Sequence, residues 1–320
     1  MNKSQFVFKV VDVVCEKSQN PYDYDNIYCV KDIAFSDFDE KMTCGDLYFD
    51  PLMLKDGTKH PIILNIHGGG FVMGDKQYRK SLCEYYASKG YYVYNINYRM
   101  PPDVDIMGCI QDCIDAANYI PTLAEDYNID LNKIVVTGDS SGAYLASYIA
   151  AVKFDPSIAD ATGLPNVDID IASLILHSGP YDMEKMMKEK IPFKIIPELA
   201  SMLVGYKLQD DLSDLKYYKY YDYISPINMV NNNWCPAFIS WSNSDFVCEN
   251  QGRPMAEKLM KCCPKVSTYY ANGMTNGHCF HLTMKKDISM QCIENSIEFT
   301  NMVLAEAEEK AKNKAKAKVS

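Results

Sequence analysis

Apolar residues along this chain fall into two patterns, short unbroken runs and longer amphipathic stretches, and the two alternate. Pro61-Ile62-Ile63-Leu64-Asn65-Ile66 is a continuous apolar run that ends at a glycine cluster, as expected of a strand buried on both faces. Tyr91 to Asn97, Ile134 to Thr137, Ile171 to His177, Pro236 to Trp241 and Val266 to Tyr270 read as further strands. Asn26 to Phe35 and Thr43 to Phe49 suit two further strands, joined by the polar stretch Ser36-Asp37-Phe38-Asp39-Glu40 as a hairpin connection. Helices are predicted over 79–89, near 104–127 and near 287–304. Eight strands interleaved with helices imply right-handed crossovers and a mostly parallel sheet, whose ligand site lies beyond the carboxyl ends of the strands.

The regular alternation breaks between His177 and Pro236, where the chain is too long for a simple crossover and contains the helical patch Ile195 to Leu203. This reads as an inserted cap, residues 179–224, with the core formed by 25–178 and 225–304. Residues 1–24 form an N-terminal segment that could add to the cap. The charged tail 305–320, rich in Lys, Ala and Glu, has no apolar stripe and is expected to be a solvated helix extension or disordered.

Two glycine motifs sit at strand ends. In Gly138-Asp139-Ser140-Ser141-Gly142 a serine lies between a strand and the helical run Ala143 to Ala150. A sharp strand-to-helix turn needs residues without side chains two positions either side of its centre. Only Ser140 has glycine at both positions, so Ser140 is the candidate nucleophile; a serine N-cap is the plainer alternative. His67-Gly68-Gly69-Gly70-Phe71 concentrates unobstructed peptide N–H groups at the end of the neighbouring strand, where they can face a developing oxyanion. Neither G-x-G-x-x-G nor a Lys-Ser/Thr pair accompanies the glycines, which disfavours a nucleotide loop.

Five histidines compete for the role of base. His60 precedes the glycine-loop strand, His67 belongs to the loop and His177 ends a central strand. His278 and His281 follow the last strand, in the order serine, acid, histidine of this architecture. His278 comes first after the strand end and is favoured. Asp245, after the strand ending at Trp241, is the favoured acid, with Glu249 and then Asp182 as fallbacks.

Composition narrows the picture further. A net charge of −10 and an isoelectric point near 5.0 argue against a surface that tracks nucleic-acid phosphates. Lys9 and Asp12 interrupt the first apolar residues, and no stretch is long enough to span a bilayer; a cytoplasmic protein is expected. The 12 cysteines include no C-x-x-C pair, so neither a metal nor any other cofactor is expected.

Together these motifs resemble the hormone-sensitive lipase family of HGGG-type α/β-hydrolase esterases, over about Leu64 to Phe280. That family's HGGGF stands as His67 to Phe71, its tyrosine-arginine segment as Tyr98-Arg99 with Asp112 in the next helix, its GDSAG as Gly138 to Gly142 and its HGF as His278-Cys279-Phe280. The resemblance implies an α/β-hydrolase fold, with Ser140 as nucleophile, Asp245 as orienting acid and His278 as base. It also implies an oxyanion hole from the N–H groups of Gly69, Gly70 and Ser141, with His67 holding the loop. Ser141 replaces the usual alanine, Cys279 a glycine and Asp103 a glutamate; residues 104–108 lack the family's phenylalanine-proline, and the N-terminal segment is short.

The expected activity is hydrolysis of a small-molecule short-chain acyl ester through an acyl-enzyme. Deacetylation of carbohydrates, hydrolysis of a small amide or formamide, and a non-catalytic ligand receptor are the alternatives. Met183, Met186, Met187, Phe193, Ile195, Ile196, Leu199, Met202 and Leu203 make the insertion apolar, which suits either a substrate pocket or packing on the core. The run Lys216 to Tyr223 could stack on a sugar or aromatic leaving group. A homodimer through the last strand and C-terminal helix is compatible with the fold.

Overall fold

The computed structural model describes residues 18–188 and 196–319. Most of the predicted N-terminal segment, and residues 189–195 of the predicted cap with Phe193 and Ile195, lie outside the described residues.

The chain has an α/β-hydrolase fold: an eight-stranded, mostly parallel sheet flanked by helices, with an inserted helical region. The strands are β1 (Tyr28–Ala34), β2 (Cys44–Phe49), β3 (His60–Ile66), β4 (Tyr92–Ile96), β5 (Ile129–Asp139), β6 (Ile171–His177), β7 (Ala237–Ser242) and β8 (Val266–Ala271). Their order across the sheet is β1-β2-β4-β3-β5-β6-β7-β8. Only the pairs β1–β2 and β2–β4 are antiparallel; β4 through β8 run parallel. The hairpin and the parallel core predicted from the apolar runs are both present.

Successive residues of each central strand point to opposite faces, and both faces are covered. Ile62, Leu64, Val136 and Leu176 face one apolar layer, which includes helices α2 (Ile106–Asp126) and α3 (Ser141–Phe154). Ile63, Val135, Ile175 and Phe238 face the other, with α1 (Lys80–Ser88) and the start of α8 (Asp287–Val319). Between α3 and α8 in the chain come α4 (Ser157–Thr162), α5 (Met183–Lys188), α6 (Ile196–Val204) and α7 (Gly252–Cys262), whose buried apolar residues join the first layer. This two-sided burial is why the strands read as unbroken apolar runs rather than as alternation.

Some elements depart from the pattern. Helix α7 was not among the predicted elements: Gly252 and Pro254 look like loop punctuation, yet proline is tolerated in a first helical turn, and Met255, Ala256 and Leu259 are buried. Strand β5 begins five residues before its apolar run, with a register irregularity against β3. The backbone of the charged tail continues α8, and the Lys265 Nζ to Glu306 Oε1 contact of 2.5 Å joins it to β7–β8.

Candidate active site

Strand β5 delivers Ser140 on a turn with φ +52° and ψ −122°, a conformation that is costly for a residue with a side chain and persists only where its surroundings impose it. The imposition is visible. The Ser140 N–H donates to the His177 carbonyl at 2.9 Å. A Cβ on Gly138 would lie 2.3 Å from the Gly142 backbone, and one on Gly142 would lie 2.0 Å from the Ile66 carbonyl oxygen. The two glycines are therefore required by close approach of β5, α3 and β3.

The glycine loop after β3 is held from several sides. A Cβ on Gly69, whose φ is +134°, would come within 1.8 Å of the Met73 carbonyl oxygen. His67 is fully buried, stacks on Tyr98 with centroids 4.6 Å apart, and its Nδ1 contacts the Gly68 carbonyl at 2.7 Å. The Tyr98 hydroxyl donates to the His67 carbonyl at 3.1 Å. Gly68 lies directly against Asp139 and Ser140, so the loop borders the serine turn. Ser141 opens α3, where a backbone N–H has no acceptor within its own helix.

Loops after β7 and β8 bring Asp245 and His278 to the same place. His278 Nε2 lies 2.8 Å from Ser140 Oγ, and its Nδ1 lies 2.9 Å from both carboxylate oxygens of Asp245. Asp245 Oδ1 also accepts from the N–H groups of Val247 and Cys248, at 3.0 and 2.8 Å. The loops are tied together: Ser244 Oγ donates to the Gly273 carbonyl, and the Gly273 N–H donates to Asn243 Oδ1. Burial alone would pull the imidazole of His278 toward neutrality, but the Asp245 carboxylate outweighs it and holds the ring well above its ordinary value. Burial would likewise raise Asp245, and His278 with the two backbone donors brings it below the usual carboxylate range.

The alternative residues stand apart. Glu249 is exposed. Asp182 accepts from the Lys185 N–H and pairs with its ammonium at 3.0 Å. His60 pairs with Asp56. His177 and His281 are buried and stacked on each other with centroids 3.9 Å apart, and burial pulls both far below the ordinary histidine value.

Two supports differ in how far the sequence announced them. Arg99 reaches Asp112 through Nε and Nη2 at 2.6 to 3.2 Å, two residues that the motif resemblance had placed in register. Arg79 makes a two-pronged ion pair with Asp139, next to Ser140, at 2.6 and 2.7 Å; no local pattern joins residues so far apart in sequence.

The insertion packs largely on the core. Met183, Met186, Met187, Ile196, Leu199 and Leu203 are buried in the main apolar layer, and Met202 packs against it. Within the tyrosine run Tyr218 is buried, Tyr220, Tyr221 and Tyr223 pack on that layer, and Tyr217 is exposed. A cavity of about 1620 Å³ separates the insertion from the 102–105 loop, lined by Asp103, Met187, Glu198 and Met202 among others. None of Ser140, Asp245 or His278 lines it, so the hydrogen-bonded constellation lies apart from this volume. No described helix is long and apolar enough to cross a membrane.

Comparison with known proteins supplies the family. The BD-FAE family model matches residues 46–259, well over half of the chain. This corrects the family expected from the motifs, hormone-sensitive lipase: His67–Phe71 and Gly138–Gly142 build a glycine loop and a serine turn that mark an α/β-hydrolase without separating its families. Esterase LipI of Mycobacterium tuberculosis is 32% identical over 107 residues, 33% of this chain and 33% of that protein. Lipase 2 of a Moraxella species is 24% identical over 242 residues, 70% of this chain and 55% of that protein. The chain thus spans between a third and about half of the length of these curated relatives. Esterase B of Lactobacillus rhamnosis has a similar structure, with TM-score 0.84, 19% identity and coverage of 97% of this chain and 98% of that one. An esterase of Pyrobaculum calidifontis gives TM-score 0.66, 20% identity and coverage of 93% and 92%. In family and fold the chain thus resembles esterase and lipase α/β-hydrolases.

Proposed function

The chain belongs to the BD-FAE family, and from that membership we propose that it is a serine carboxylesterase, hydrolysing short-chain acyl esters through an acyl-enzyme. The observation that carries this reading is the continuous hydrogen-bonded chain from Asp245 through His278 to Ser140 Oγ. Ser140 Oγ attacks the ester carbonyl carbon while His278 Nε2 takes the hydroxyl proton, and Asp245 holds the ring with Nδ1 protonated and offsets the charge that forms on it. The tetrahedral oxyanion is held by the N–H groups of Gly69, Gly70 and Ser141. Losing one such donor typically costs about 3 to 4 kcal/mol of transition-state stabilisation. His278 then returns its proton to the departing alkoxide, leaving Ser140 acylated. Water attacks the acyl carbon, giving up its proton to His278, and the acid leaves as the proton returns to Ser140.

Residues 25–178 and 225–304 act in this reading as the catalytic core, and 179–224 as a cap over it. Hydrolysis of p-nitrophenyl acetate tests the assignment: the intact protein turns over, and Ser140→Ala falls by at least about 10³-fold. Turnover retained in Ser140→Ala would remove Ser140 from the reaction.

A further inference from the structure

The turn that supplies the acid carries a thiol toward it. After Asp245 the chain folds back so that the Cys248 N–H donates to Asp245 Oδ1 at 2.8 Å. One carboxylate oxygen of Asp245, the sulfur of Cys248 and one ring nitrogen of His278 consequently lie within 4.8 Å of one another. Asp245 and Cys248 are both buried, at 3% and 4% exposure, while the His278 side chain keeps 18% of its surface open. Among the described residues this is the only cluster of three such donors. Carboxylate, thiolate and imidazole are each established ligands of tetrahedral zinc, and a three-ligand set leaves a fourth position for water.

We propose that Asp245, Cys248 and His278 form an inhibitory site for a thiophilic divalent cation of the zinc type. The Val247 and Cys248 N–H groups fix Asp245 Oδ1, the supporting hydrogen bonding that orients a metal-binding carboxylate. The cation replaces the proton between Asp245 and His278. That proton moves from Nδ1 to Nε2, the Cys248 thiol releases its proton to solvent, and the ring binds the metal through the freed Nδ1 lone pair. No oxidation state changes. With Nε2 protonated, His278 cannot accept the Ser140 proton, so the bound form is inactive. The loss of activity rests on the assignment of His278 as base; the binding does not. This cation is an inhibitor rather than a cofactor.

Two readouts separate these parts. Co²⁺ added to the intact protein is expected to produce a thiolate-to-metal charge-transfer band, lost in Cys248→Ala and in Cys248→Ser. Both variants keep the backbone N–H that Asp245 needs. In the ester assay, Zn²⁺ is expected to inhibit reversibly, with activity restored by EDTA. Against each variant's own metal-free rate, the half-inhibiting Zn²⁺ concentration is expected to rise at least tenfold. No band in the intact protein, or a band unchanged in both variants, overturns the site. Zn²⁺ sensitivity equal in intact protein and variants overturns its link to activity. A Cys248-dependent band in a protein without esterase activity would uphold the metal site while contradicting the proposed function.

Discussion

The two halves of the candidate active site are built by different means. The nucleophile half, at the ends of β3 and β5, is set by backbone packing: Gly138 and Gly142 leave no room for a Cβ, and Ser140 is tied to His177 of the adjacent strand. The acid and base half rests on side-chain hydrogen bonds between two surface loops, with Phe246 and Met274 exposed at 68% and 95%. Packing fixes the backbone position of Ser140. Hydrogen bonding makes His278 tunable, because the charge on Asp245 sets its protonation.

The sharpest way to break this contrast is to remove the tunable part and leave the frame. Asp245→Asn is expected to lower kcat by about 10⁴-fold with little change in KM, since the ring loses its orienting charge and preferred tautomer. Burial would then act on His278 unopposed by the carboxylate. The rise of kcat/KM with pH, which follows loss of the proton from His278, should shift to lower pH in the residual activity. Glu249→Gln serves as the control and should leave both quantities unchanged. Equal loss in the two variants would reassign the acid.

The frame has its own weak point. Asp139 and Arg79 are both buried and bonded through two contacts, so Arg79→Ala leaves a carboxylate without its guanidinium. A loss of about 3 to 5 kcal/mol in denaturant unfolding is expected. A stability unchanged within 1 kcal/mol would show that the pair is dispensable.

The smallest effect per residue concerns acid. His67, His177 and His281 are buried and neutral, with values lowered chiefly by burial. In the unfolded chain each would take up a proton near pH 6.5. Their contribution to stability is present above that pH and is lost as pH falls below it, toward the lower folded values. The slope is about 1.4 kcal/mol per pH unit for each proton bound on unfolding. His278 acts in the opposite sense: its raised value favours the folded state at low pH, and that contribution is lost as pH rises through it. Chemical denaturation across pH 5 to 8 should therefore show stability falling on the acid side. A flat profile would contradict the burial argument.

How much of this was legible in the sequence follows the same division. Apolar runs and one hairpin sufficed for the sheet because burial of the central strands on both faces leaves an unmistakable mark. The serine turn and glycine loop were legible because backbone crowding selects glycine at fixed spacing. Asp245 and His278 were expected from chain order and from the motif resemblance, since hydrogen bonds between loops leave no periodic pattern. Arg79 with Asp139 was not legible at all, being a product of tertiary approach between residues 60 apart in sequence; the local turn that folds Cys248 back onto Asp245 was missed as well. The family was misread because the two glycine motifs report the common hydrolase frame.

In the proposed reaction Ser140 is the residue that attacks. Treatment of the folded protein with a fluorophosphonate, followed by peptide mass analysis, tests it most directly. One adduct is expected, on Ser140, and it should be lost in His278→Ala. An adduct on Ser141 or another residue, or none on a protein that still hydrolyses esters, would contradict it.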